Sequence, residues 1–266
     1  MNYTRIHLTL ITCLLAFASV IAQKPGQQAQ LEFDHLVIFT PSKQLELELT
    51  KSLFTLAEKA GSIHKEQGTE GQYIFFYNTF IELLYLKDSS QILANEPRFG
   101  SAYSRRWKLT KNICPMGFGL NLLPFDTSST EFKFKVYQSS DAADNEYYLM
   151  SKYNSKQAHP LVYLSMPNHA YIPYNSLNDV DQRFDEYMRA DQKSYLSHPS
   201  GIKRLTEIVL TIPSSAGSKG NMALLKELEQ VKIEYGDAYG LTLSFDNQAQ
   251  GKEITVPCDF NLIIKY

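Results

Sequence analysis

The sequence predicts an α+β fold in which one order of elements occurs twice. Two observations carry that prediction. A short apolar run of strand formers, Phe33 to Phe39, ends at Pro41-Ser42, and a second, Leu205 to Ile212, ends at Pro213-Ser214. Each is followed by apolar residues at helical spacing and then by further strand-like runs, a repeat of architecture more than of sequence. The 266 residues, with 44% hydrophobic and 12% aromatic content, can fill one large domain or two coupled modules.

In the first copy, over 31–88, Leu45, Leu49, Leu53, Leu56 and Ala60 share a helical face, and Gly61 is a natural stop. Strands are expected from Gln72 to Tyr77 and from Thr79 to Leu86, with Asn78 at the turn. In the second copy, over 205–266, Leu224, Leu225, Leu228 and Val231 mark a helix with Asn221 as N-cap. Strands follow at Lys232 to Tyr235, Gly240 to Phe245 and Glu253 to Tyr266, punctuated by Gly236, Asn247 and Gly251. The intervening 89–204 is not of low complexity and holds the single Trp, so it is expected to fold. It offers strand-like runs at Gly117 to Leu123, Glu131 to Val136 and Leu161 to Met166, and a helix over Asp179 to Gln192.

The first 22 residues differ from the rest. Arg5 precedes an apolar stretch from Leu8 to Ile21, Val20-Ile21-Ala22 offers short side chains for cleavage, and polar Gln23-Lys24-Pro25-Gly26 follows. This reads as a secretory signal over 1–22, then a flexible leader over 23–30, and so as an exported protein, periplasmic or secreted. The apolar run is shorter than the roughly 20 residues of a membrane span, and no stable span is expected after cleavage. Cys13 would leave with the signal, and Cys114 and Cys258 could then form one disulfide or remain two buried thiols.

A formal net charge of −2 gives no basic field for nucleic acid. The chain has no phosphate-cradling glycine loop, no Gly-x-Ser-x-Gly elbow, no Cys-x-x-Cys and no His-Glu-x-x-His. Gly117-Phe118-Gly119 lacks the third glycine of a dinucleotide fingerprint.

Four patches, in order, resemble the glyoxalase-like domain family of the vicinal-oxygen-chelate superfamily. They are Phe33-Asp34-His35-Leu36-Val37; His64 followed by Gly68-Thr69; Asn78-Thr79-Phe80-Ile81-Glu82-Leu83-Leu84; and His198-Pro199-Ser200-Gly201-Ile202 leading into Leu205-Thr206-Glu207-Ile208-Val209. The resemblance implies two βαβββ modules, each curled into a half-barrel, facing one another around a cup. In metal-dependent members a divalent ion, held from the first and last strands of each module, polarises two neighbouring substrate oxygens.

Carried onto this sequence, the resemblance places His35 and Glu82 in the cup, with Glu207 as the counterpart of His35 and Asn261 opposite Glu82. Asn is a poor substitute for a carboxylate at a transition metal. His35, Glu82 and Glu207 could hold one divalent metal with waters, and a metal-free pocket is the alternative. Glu82, a carboxylate among apolar strand residues, is the strongest candidate for catalysis, because burying it unpaired is costly. His64 is a candidate acid or base, or else a loop residue. Arg105 and Arg106 beside Trp107 could clamp an anion or pack on the surface. Asn78 and His198 are further candidates for substrate binding, with His198 also readable as a turn residue before Pro199. The function expected is lyase, isomerase or dioxygenase chemistry on a small oxygen-rich molecule. The alternatives are a small-ligand-binding protein using the same cup, and a structural homodimer.

Overall fold

The computed structural model describes residues 30–64, 66–100, 103–108, 110–123, 134–138, 147–165 and 171–266. The expected signal segment, Cys13, most of the polar leader and residues 131–133 of one expected strand lie outside them. The fold is α+β, with two sheets among the described residues.

The first sheet has eight strands and curls into a half-barrel. Its members are β1 (Gln30–Thr40), β2 (Ser62–His64), β3 (Thr69–Phe75), β4 (Phe80–Leu86), β5 (Met116–Leu123), β6 (Phe134–Gln138), β7 (Tyr147–Ser151) and β8 (Leu161–Leu164). Their order is β2-β3-β4-β1-β5-β8-β7-β6. Two four-strand units are mirrored in that order. β1 runs parallel to β4 as β5 does to β8, the outer strands of each unit are antiparallel, and β1 meets β5 antiparallel at the centre.

The segment 89–204 therefore supplies the partner half of this sheet. Residues 205–266, expected to face the first module across the cup, build a five-stranded sheet of their own. It comprises β9 (Leu205–Pro213), β10 (Val231–Gly236), β11 (Gly240–Phe245), β12 (Glu253–Val256) and β13 (Asn261–Lys265), ordered β10-β9-β11-β13-β12. The physical reason is pairing. β1 already has β4 and β5 on its two edges, so β9 pairs within its own segment.

What joins the sheets is apolar burial. Leu36, Ile38, Ile81 and Leu83 on the outer face of the first sheet share one core with Ile208, Leu210, Leu241 and Ile264 of the second. Period-two alternation makes this possible, because one face of β1 and β4 enters that core while His35, Val37, Phe80 and Glu82 face the other way.

Helices are shorter than the periodicity suggests. α1 (Gln44–Thr50) stops well before Gly61. Phe54 leaves the helical path to pack on Phe76 and Phe245, and Thr55 is held by His198 and the Ser197 carbonyl. Tertiary contacts thus override propensity. α2 (Ser89–Phe99) begins where the Asp88 side chain accepts from the Ser90 and Gln91 amides and ends at Gly100, whose φ of 117° favours glycine. The helix expected over 179–192 is two, α3 (Asn178–Arg183) and α4 (Glu186–Tyr195), because Asp185 caps a new start. α5 (Asn221–Leu225) is capped by Gly220. Asn221 is instead buried, its side chain bonded to Ser151, Asn154 and the Pro160 carbonyl.

Cys114 and Cys258 are free thiols. Burial pushes the Cys114 thiol up to about 11. No helix among the described residues is long and apolar enough to cross a membrane.

Candidate functional site

A break in strand register creates the site. Between Phe33 and His35 the pairing of β1 with β5 shifts by one residue, leaving Asp34 as the extra residue of a bulge. Bulges re-aim side chains, and here the bulge brings Asp34 beside His35 on the concave face. Asp34 Oδ2 lies 2.6 Å from His35 Nδ1, and Oδ1 accepts from the Asn121 side chain at 3.0 Å and the Tyr171 amide at 2.7 Å. Burial alone would raise the Asp34 carboxyl. The hydrogen bond and charge of His35, with the Tyr171 and Asn121 donors, outweigh it and hold the carboxyl below the usual range. On the other side of the ring, His35 Nε2 meets the Tyr163 hydroxyl in a short contact. The ring itself stacks on Phe80 at 4.2 Å.

Glu82 and His64 form a second pair on the same face. His64 Nε2 lies 3.4 Å from Glu82 Oε1 and 3.2 Å from the Tyr73 hydroxyl, and Nδ1 lies 2.8 Å from Thr69 Oγ1. Glu82 is 6% exposed, so its carboxylate faces a pocket, not bulk water. The loop after His64 is tied to α2 through Asn95, which donates to the Glu66 carbonyl at 2.7 Å.

Both pairs line one cleft of about 240 Å³. Val37 is the register partner of Glu82 and His35 that of Phe80, so His35 and Glu82 are diagonal neighbours on adjacent parallel strands. Two glycines make room for them. A Cβ on Gly119 would stand 2.5 Å from His35 Nδ1, and a Cβ on Gly71 would stand 2.5 Å from Glu82 Oε1. The Gly117-Phe118-Gly119 run thus has a local meaning. Its glycines floor the cup, while Phe118 turns into the core behind.

The sequence-predicted residues divide sharply. His35, Glu82 and His64 come together in the cleft. Glu207 does not, because it sits on β9 of the other sheet, paired with Lys232. Asn261 is exposed on β13 of that sheet. Asn78 is structural, its side chain donating to the Leu205 carbonyl and accepting from the Leu205 amide, which pins the β3–β4 turn to the start of β9. His198 is structural too. Its Nδ1 accepts from the Thr55 amide, its Nε2 donates to the Phe75 carbonyl, and burial pushes its imidazole down to about 4.

Arg105 is exposed and reaches Gln157, not the cleft. Trp107 is buried behind the cleft wall, donating to the Leu84 carbonyl at 2.8 Å and packing edge-on against Phe39. Arg106 is fully buried, bonded to the Cys114 and His159 carbonyls, and burial lowers its guanidinium. No anion clamp forms from this trio.

Asp34, Tyr163 and Tyr73 are site residues that sequence reasoning missed as such. Asp34 was visible only as part of a motif. The tyrosines carried no signal beyond strand alternation, because their strands reach the cleft by non-local pairing.

The four-position metal set implied by the family resemblance does not converge. Two of its members, Glu207 and Asn261, lie in the second sheet, and both ring nitrogens of His35 are engaged. Among the described residues no group of three or more His, Cys, Asp or Glu is placed to hold a metal ion.

No family model matches the chain, and no curated protein matches it. Among solved structures, it is similar to a hypothetical protein from Staphylococcus aureus, with a TM-score of 0.52 at 11% identity. The match covers 88% of this chain and 98% of that one. At such identity the likeness speaks to the fold alone.

Proposed function

We propose that this chain is an exported glyoxalase-like enzyme that moves a proton on a small oxygen-bearing molecule in the cleft, in an isomerase- or lyase-type reaction. The observation carrying this reading is the pair of carboxylate–imidazole couples, Asp34–His35 and Glu82–His64, lining one small cavity. Export rests on the character of residues 1–22, and the glyoxalase-like assignment on the four sequence patches.

The chemistry follows from proton positions. An ionised Asp34 accepts the Nδ1 proton of His35, which leaves Nε2 to accept from the Tyr163 hydroxyl. Tyr163 can then shuttle a proton between substrate oxygens, passing its own to His35 Nε2 as it takes one from a hydroxyl and recovering it as it gives one to a carbonyl oxygen. Glu82, beside His64, can take a proton from the carbon next to a carbonyl. Removal of that proton and protonation of the carbonyl oxygen give an enediol. Reversal at the neighbouring carbon gives the isomer, with no electrons gained or lost. Positioned groups of this kind contribute about 10²- to 10⁴-fold.

The test is deuterium wash-in. Hydroxyacetone incubated with the protein in deuterated water should exchange its carbon-bound protons faster than in buffer, and Glu82→Gln should abolish the excess. Exchange no faster than buffer, or untouched by the substitution, defeats the reading. One observation favours a second reading, a non-catalytic binding protein: the ligand quartet of the metal enzymes does not assemble. Ligand-induced shifts without any exchange would support it.

A further inference from the structure

The cleft is two-sided in a way the proton-transfer reading does not require. Across the first sheet, β1, β4, β5 and β8 place their concave-face residues in rows. One row runs Phe80, His35, Gly119, Tyr163, and the next runs Glu82, Val37, Gly117, Leu161. Beyond them Leu84 lies opposite Phe39. Of the hydrogen-bonding groups, His35 and Tyr163 share the first row and Glu82 stands in the next, with His64 reaching back to it from the row of Leu86. One residue pair further along β1, β4 and β8, the floor becomes Val37, Leu84 and Leu161.

The walls follow the same division. Phe99 at the end of α2, Tyr103 of the turn at Tyr103–Lys108, and Met150 of β7 line the cavity and belong to one buried apolar cluster with Val37, Leu84 and Leu161. Gly117 keeps this end open at its centre, since a Cβ there would stand 3.2 Å from the Leu161 Cβ and 3.3 Å from the Val37 Cβ. An apolar part next to a polar part inside one cleft matches a ligand that is itself divided. Between Val37, Leu84, Met150 and Leu161 water would find no side-chain hydrogen-bond partner, so a hydrocarbon group there displaces it favourably.

We propose that the ligand of this cleft is a small amphiphile. An oxygen-bearing head sits at His35, Tyr163 and Glu82, and a compact hydrocarbon tail fills the space between Leu84, Phe99, Met150 and Leu161. A volume of about 240 Å³ lies below the drug-sized range, which limits the tail to a short aliphatic chain or one ring. The inference rests on the same cleft as the proposed function but makes a separate claim, about recognition and not about proton transfer.

The experiment uses one head with growing tails, namely hydroxyacetone and the hydroxyketones extended to ethyl, propyl and butyl. Binding is measured by ligand-observed NMR titration. Each methylene should tighten binding about fourfold. Val37→Ser and Met150→Ser, on two different strands and checked for folding by circular dichroism, should each flatten the series. A series that is flat or weakens with tail length in the folded wild-type protein overturns the proposal. Deuterium wash-in on the same compounds separates the two claims. Exchange without tail dependence sinks the amphiphile and leaves the chemistry, whereas tail-dependent binding without exchange sinks the chemistry and leaves the amphiphile.

Discussion

The imidazole of His35 occupies the space that a side chain on Gly119 would fill. A Cβ there would stand 2.5 Å from His35 Nδ1 and 2.8 Å from Nε2, both impossibly close. Gly119→Ala should therefore push the ring off its Asp34 and Tyr163 partners. Overpacking of this kind costs about 1–3 kcal/mol, and deuterium wash-in should fall with it. Denaturant titration and the His35 ring resonances check the prediction. An unchanged midpoint with unmoved resonances would show that the ring has another place to go.

Asp34 gathers His35, Asn121 and the Tyr171 amide on one buried carboxylate. Asp34→Asn keeps the shape and loses the charge, and hydrogen bonds to a charged group are each worth about 1.5–3 kcal/mol. The sign of the pH effect follows from the lowered carboxyl. Its ordinary value is 3.8 and its folded value is lower, so its stabilisation is fully present above 3.8 and disappears as pH falls through the folded value. Wild type should be more stable than Asp34→Asn at neutral pH, and the gap should close below pH 3.8. A gap that stays constant through that window would mean the group is not ionised when folded.

Much of the cleft was legible in the sequence for a simple reason. Alternation on a strand declares its own faces, so His35 fell with Val37 and Phe39 and Glu82 with Phe80 and Leu84, while their sharing one concave side was what the family resemblance implied. What alternation cannot declare is which strand lies next to which. The second copy of the repeat, 205–266, shows the expected strand–helix–strand order, yet its sheet stands behind the cup, and Glu207 goes with it. Tyr163 enters the cleft because β8 pairs with β5, a partner more than forty residues away in sequence. Asp34 enters through a one-residue bulge, which no periodicity announces. Asn78 and His198 were readable as turn residues as well as candidate binders. Their partners, the backbone of Leu205, Thr55 and Phe75, are distant in sequence, so the bonds that decide for the structural role could not be read.

Tyr163 separates the proton-relay reading from a purely structural one. Tyr163→Phe removes the hydroxyl facing His35 Nε2 and keeps the ring in its row. Loss of one neutral hydrogen bond should cost about 1 kcal/mol. Proton exchange on a bound hydroxyketone should fall about 10²-fold or more. If exchange persists at the wild-type rate while Glu82→Gln still abolishes it, the oxygen of the substrate is protonated by some other group.

His198 predicts a second, independent pH effect, in the window just above that of Asp34. Its imidazole is buried between the Thr55 amide and the Phe75 carbonyl, and one nitrogen must accept, so the folded state favours the neutral ring. Burial brings it from 6.5 to about 4. Between those values the unfolded chain binds a proton that the folded chain refuses, so stability must rise with pH there. The accumulated loss on going from pH 7 to pH 4 is about 3 kcal/mol. His198→Gln should be less stable than wild type at pH 7, since it cannot make both bonds with the same geometry. It should also show a shallower decline in denaturation midpoint between pH 6.5 and pH 4. Parallel declines in the two proteins would show that His198 is not the group resisting protonation, and that the acid sensitivity in this window arises elsewhere in the chain.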